Sequence, residues 1–148
     1  MKRQILLAAL ALALGLSASA AAAEVTFKII SAADAAKTVT ASQTPIAIAD
    51  TGAFSMSLHK RIVSGHAEKH MGWDEELVIQ EGDVTLNYGG SGVNAKEKLP
   101  GEFGADRITG GKSIMIHAGD IVVIPAGTWH EQIIRTPLMR YVLFKTKK

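Results

Sequence analysis

Gly119-Asp120-Ile121-Val122-Val123-Ile124-Pro125-Ala126-Gly127-Thr128-Trp129-His130 is the stretch that decides the fold of this chain. Gly119-Asp120 is a turn signal, and the four β-branched residues after it make the body of a short strand. Pro125 and Gly127 then impose a tight corner, and His130 opens the next strand. Side chains alternate faces along a strand, so Thr128, His130, Gln132 and Ile134 fall on one side.

Outward from this corner the pattern stays β. Segments 54–63, 77–80, 84–88, 113–116, 121–124, 128–134 and 139–145 are short and rich in Val, Ile, Leu, Phe, Tyr and Thr. Gly82-Asp83, Gly89-Gly90, Gly110-Gly111, Gly119-Asp120 and Thr136-Pro137 separate most of them. Strands of that length and punctuation predict an all-β sandwich or small barrel. Segment 89–111 is too long and too rich in glycine for a hairpin turn, and reads as an excursion over one end of the barrel. It is either a lid over a pocket or a passive loop.

Upstream, the chain is organised as an address and an arm. Lys2 and Arg3, the apolar run from Ile5 to Leu16 and the small residues from Ser17 to Ala23 form a secretory signal peptide over 1–23. Its apolar run is shorter than the roughly 20 residues a bilayer span takes. The expected mature protein is therefore periplasmic or secreted, with no membrane span after cleavage. An N-terminal arm follows over 24–52, in which Ser31 can cap a short helix over 31–37. The rest of the arm has no clear period. The barrel domain occupies 53–148.

Sixteen Lys and Arg face fourteen Asp and Glu. Lys2 and Arg3 leave with the signal, so the mature chain is formally neutral and offers no hint of a nucleic-acid partner. There is no cysteine. Stability must come from burial and backbone pairing, and any metal ligands must be nitrogen and oxygen.

The 119–130 stretch resembles the second motif of the cupin family, G-x5-P-x-G-x2-H, at every defined position through His130; Ile134 stands where that pattern usually ends in Asn. The first cupin motif, approximately G-x5-H-x-H-x3-4-E-x6-G, is matched by His70, Glu75 and Gly82, with Glu68 in place of its first His and Ile62 in place of its leading Gly. The resemblance covers about 54–144. Segment 100–111 is also similar to one in a subset of small exported bacterial cupins, most of which lack a defined activity. The implied fold is a cupin jelly-roll β-barrel with a short N-terminal helix, and cupins often pair as homodimers through an edge strand. The implied metal ligands are His70, Glu75 and His130.

The residues carry an argument of their own. Leu77 and Ile79 form the more apolar face of their strand and should point inward, which makes Glu75 an inward carboxylate. A buried carboxylate is costly unless paired or bound to a cation. Glu68 and His70, two apart on an extended segment, can both reach one ion, whereas His66 and His70 lie roughly 13 Å apart unless the chain bends. Glu68 is thus the expected fourth ligand, with His66 as its substitute. Such a set suits Mn, Fe, Ni or Zn as a divalent cofactor. Trp73, Trp129 and Gln132 are candidates for a substrate pocket, while His59 and His117 read as surface residues.

Three functions remain open on these grounds. The first is a metal-dependent enzyme acting on a small oxygenated molecule as a dioxygenase, lyase, isomerase or decarboxylase, with no catalytic residue assigned. The second is a non-catalytic periplasmic protein that binds a small-molecule ligand, with or without metal. The third is a metal-free scaffold.

Overall fold

The computed structural model describes residues 29–38 and 45–148; the signal peptide expected over 1–23 lies outside them. A single short helix, α1 (Ala32–Thr38), precedes the strands. Ser31 caps it, accepting a hydrogen bond from the Asp34 amide at 3.1 Å while its hydroxyl donates to the Asp34 carboxylate at 2.6 Å. No helix among the described residues is long and apolar enough to cross a membrane.

The strands follow in chain order: β1 (Ile46–Asp50), β2 (Phe54–Arg61), β3 (Ala67–His70), β4 (Trp73–Glu81), β5 (Val84–Tyr88), β6 (Ser91–Val93), β7 (Lys96–Leu99), β8 (Glu102–Ala105), β9 (Arg107–Thr109), β10 (Lys112–Ile116), β11 (Ile121–Ile124), β12 (His130–Ile134) and β13 (Met139–Lys147). A five-stranded sheet runs β1-β2-β13-β4-β11 and a six-stranded sheet runs β10-β5-β12-β3-β8-β7; β6 and β9 form a separate pair. Every pairing is antiparallel. The two large sheets face each other in the all-β jelly-roll arrangement. Their shared core takes Leu77, Ile79, Tyr141 and Leu143 from the first sheet and Val84, Leu86 and Ile116 from the second.

Alternation explains which residues meet there. Glu75, Leu77 and Ile79 of β4 are buried, while Glu76, Val78 and Gln80 turn to the other face. The turn from β4 to β5 depends on Gly82, whose backbone is left-handed at φ 90° and where an added Cβ would collide with the Leu138 carbonyl oxygen.

Two local readings change. The aperiodic part of the arm contains β1, which pairs with β2 along the edge of the five-stranded sheet. The glycine-rich excursion is neither lid nor passive loop, because it folds into β6 to β9. Its strand β8 pairs with β3 and extends the six-stranded sheet.

Candidate metal centre and its cavity

Strand register assembles the site. On the six-stranded sheet, His130 of β12 stands opposite Glu68 of β3, and His70 of β3 stands opposite Glu102 of β8. On the five-stranded sheet, Glu75 of β4 stands opposite Lys145 of β13. Residues directly opposite across an antiparallel pair point to the same face, so these side chains project into the space between the sheets.

The two imidazoles converge. Nδ1 of His70 donates to the Glu102 carboxylate, and Nδ1 of His130 donates to the Thr128 carbonyl at 3.1 Å. Carboxylate and carbonyl oxygens only accept, so each Nδ1 carries the hydrogen and each Nε2 is turned toward the interior. His70 Nε2 lies 3.3 Å from Glu75 Oε1 and 4.0 Å from Glu68 Oε2. His130 Nε2 lies 3.0 Å from Glu75 Oε2 and 3.5 Å from Glu68 Oε1. Ligand atoms of Glu68, His70 and His130 all fall within 4.8 Å of one another. His130 is 1% exposed and Glu75 4% exposed, yet His130 Nε2 has no hydrogen-bond partner of proper geometry. A buried, orphaned Nε2 among two carboxylates and a second imidazole is what a divalent ion would satisfy, and the nitrogen–oxygen donor set fits one.

Electrostatics couples the groups. Burial alone would lower the His130 pKa, but the carboxylates of Glu68 and Glu75 hold it up to about 9. Burial alone would raise Glu75, but His130 and Lys145 hold it at about 2, with Lys145 Nζ 2.7 Å from Oε1.

A cavity of about 240 Å³ opens beside the cluster, with Glu68 and His70 on the side of the six-stranded sheet. The five-stranded sheet lines the other side, with Glu75 of β4, Lys145 of β13 and Ser55, Ser57, His59 and Arg61 of β2. His59 was expected at the surface; instead it stacks on Tyr141 at 4.7 Å and 20° and meets Ser57 Oγ at 2.8 Å. Burial first, and then the Arg61 charge, lower its pKa to about 4. His117 does lie at the surface, paired with Asp83 at 2.8 Å.

The other candidates lie elsewhere. His66 is exposed and lines a separate cleft of about 580 Å³ with Asn94, Lys96, Lys98 and Asp106; β3 is extended, so no bend brings it to the ion position. Trp129 faces away from His130, being the next residue along the chain. It packs beneath β6, where a Cβ at Gly92 would come within 2.6 Å of its ring. Trp73 shares the inward face of β4 but stands at its end, opposite Lys147, outside the cavity lining. Gln132 is buried on the His130 face with Oε1 unpartnered, and it too is absent from the lining.

Sequence reasoning missed Glu102, Lys145, Arg61, His59 and Tyr141. The alternating polar positions 55, 57, 59 and 61 carried a signal. Glu102 and Lys145 carried none, since only long-range register places them.

No protein-family model and no curated protein matches the sequence. Solved structures do resemble it. A Neisseria meningitidis protein superposes with a TM-score of 0.57 at 18% identity, covering 80% of this chain and 99% of its own. A cupin-2 domain protein from Shewanella frigidimarina gives 0.55 at 19% identity over 80% of this chain and 94% of its own. A cupin superfamily protein from Desulfitobacterium hafniense gives 0.51 at 15% identity, with 71% and 77% covered. At these identities the likeness is one of fold: with its facing antiparallel sheets, this chain has the cupin jelly-roll fold.

Proposed function

We propose that the chain is an exported cupin that holds one divalent ion, Mn, Fe, Ni or Zn, on His70, Glu75, His130 and Glu68, and acts on a small oxygenated molecule in the adjoining cavity. The observation that carries this reading is the pair of imidazoles whose Nδ1 hydrogens are both spent on oxygen acceptors. Both Nε2 atoms are thereby aimed at one point between two carboxylates. A bound ion would supply Lewis acidity or a dioxygen site, the chemistry of a dioxygenase, lyase, isomerase or decarboxylase. The protein's own part is to fix the ligands and to keep one cavity open beside them. Export rests on the apolar leader and its small-residue cleavage tract. Pairing into a homodimer rests on the open sheet edges.

The test is metal content of mature protein purified without a chelating column. About one equivalent per chain is expected, lost in both His130→Ala and Glu75→Ala. No uptake of any of the four ions after reconstitution would sink the reading. A second reading, a metal-free periplasmic protein that binds a small ligand, has Lys145 in its favour, because that ammonium already compensates Glu75. The same null result would support it.

A further inference from the structure

We propose that the cavity beside the ion site takes a small organic carboxylate and that Arg61 is the group that anchors it. The alternation of β2 is inverted relative to an ordinary barrel strand. Ser55, Ser57, His59 and Arg61 line the cavity, while Phe54, Met56 and Leu58 occupy the other face. Turning four polar side chains inward is costly unless a polar occupant answers them.

Arg61 is the outlier among them. Its Nε donates to the Tyr141 hydroxyl at 3.0 Å, and the Tyr141 ring is itself stacked on His59, so the guanidinium is held in one orientation. Lys145, the other cation of the cavity, meets Glu75. Among the described residues no carboxylate lies within ion-pair reach of Arg61. Glu68 and Glu75 act on it only from beyond that reach; a part-buried guanidinium with no direct ion pair is a receptor for one, and its planar fork matches a carboxylate better than a point charge would. The remaining neighbours, Ser55, Ser57 and His59, offer hydrogen bonds to oxygen. At about 30 Å³ for each water-sized group, 240 Å³ admits roughly eight non-hydrogen atoms. An acid of that size on Arg61 directs its other end toward Glu68 and His70 of the facing sheet and Glu75 of its own. The orientation at that end rests on the metal-site reading; the Arg61 anchor does not.

Lactate, pyruvate and succinate would be titrated calorimetrically into the mature protein, both metal-loaded and chelator-treated, with lactamide and inorganic phosphate as controls. At least one acid is expected to bind, lactamide to bind at least tenfold more weakly, and Arg61→Gln to weaken the acid by about tenfold or more. Metal content of the variant should match wild type. Arg61→Lys, which keeps the charge, should fold if Arg61→Gln does not, and should still bind less tightly than wild type. The inference is overturned if the amide binds as well as the acid, if phosphate binds more tightly than every acid, if the Arg61 variants bind unchanged, or if no acid binds either form. Arg61-dependent binding to a protein that takes up no metal would uphold the anchor while the metal reading fails. One ion per chain with no acid bound would do the reverse.

Discussion

Glu75 holds the centre of the site because three cations or potential cations converge on one buried carboxylate. His70 and His130 approach its two oxygens and Lys145 caps one of them. In the metal-free protein the proton on His130 is part of that balance. Its folded pKa of about 9 lies above the ordinary value of 6.5, so its contribution to stability is fully present below pH 6.5 and is lost as pH rises through 9. Glu75 runs the other way: depressed from 4.5 to about 2, it contributes above pH 4.5 and loses that contribution as pH falls through 2. Chelator-treated protein should therefore melt at a falling temperature between pH 6.5 and 9, and His130→Gln should flatten that slope. An unchanged slope in the variant would mean that His130 does not carry the titration. A metal ion must displace the same proton, so binding near pH 7.5 should release about one proton per ion, measurable by calorimetry in buffers of different ionisation enthalpy.

At the scale of elements, the excursion between β5 and β10 completes the site instead of covering it. Strand β8 adds Glu102 opposite His70, and that carboxylate fixes which imidazole nitrogen faces inward. Partners of this kind typically set metal affinity by 10- to 100-fold. Glu102→Gln should accordingly weaken the ion by about tenfold or more in a competition titration against a chelating dye, with the melting temperature of the metal-free protein little changed. Full affinity in that variant would show that His70 is oriented by something else. The pair β6 and β9 has a separate duty, shielding Trp129. Gly92→Val would press on that ring, and overpacking of this sort costs about 1–3 kcal/mol, to be read as a lower urea midpoint. The same elements show what was legible in the sequence. The corner at Pro125 and Gly127 and the spacing from His70 to Glu75 are local constraints, and both could be read directly. Glu102 becomes a site residue only when β8 pairs with β3 across more than thirty residues of chain. His59 reads as a surface residue because Lys60 and Arg61 follow it in a polar run, yet alternation along β2 turns His59 and Arg61 into the cavity. The edge strand β1 was invisible because its half-exposed alternation of Ile and Ala gives little contrast.

Across the whole molecule, the two sheets part along one seam. Strand β10 ends the six-stranded sheet and β11 ends the five-stranded sheet, so neither has a partner on its outer edge among the described residues. The seam is apolar: a cleft of about 620 Å³ there is lined by Leu86, Ile116 and Ile124 from inside and by Ile114, Ile121 and Val123 nearer the surface. Ile121 is 70% exposed and Val123 62%. Unpaired edges that carry exposed branched residues invite strand addition or aggregation unless they are covered. A chain whose formal net charge is only +2 has little charge repulsion to prevent this. A second copy seated on the same seam by a two-fold axis would cover both edges at once, since a self-complementary patch closes the assembly. The mature protein should therefore sediment at twice the chain mass at micromolar concentration. Ile121→Glu should sediment at the single-chain mass with its β-sheet circular dichroism intact, because an exposed position tolerates the charge in the monomer but a buried interface does not. A wild-type chain that stays monomeric at that concentration would leave the seam without this cover and remove the homodimer from the proposal.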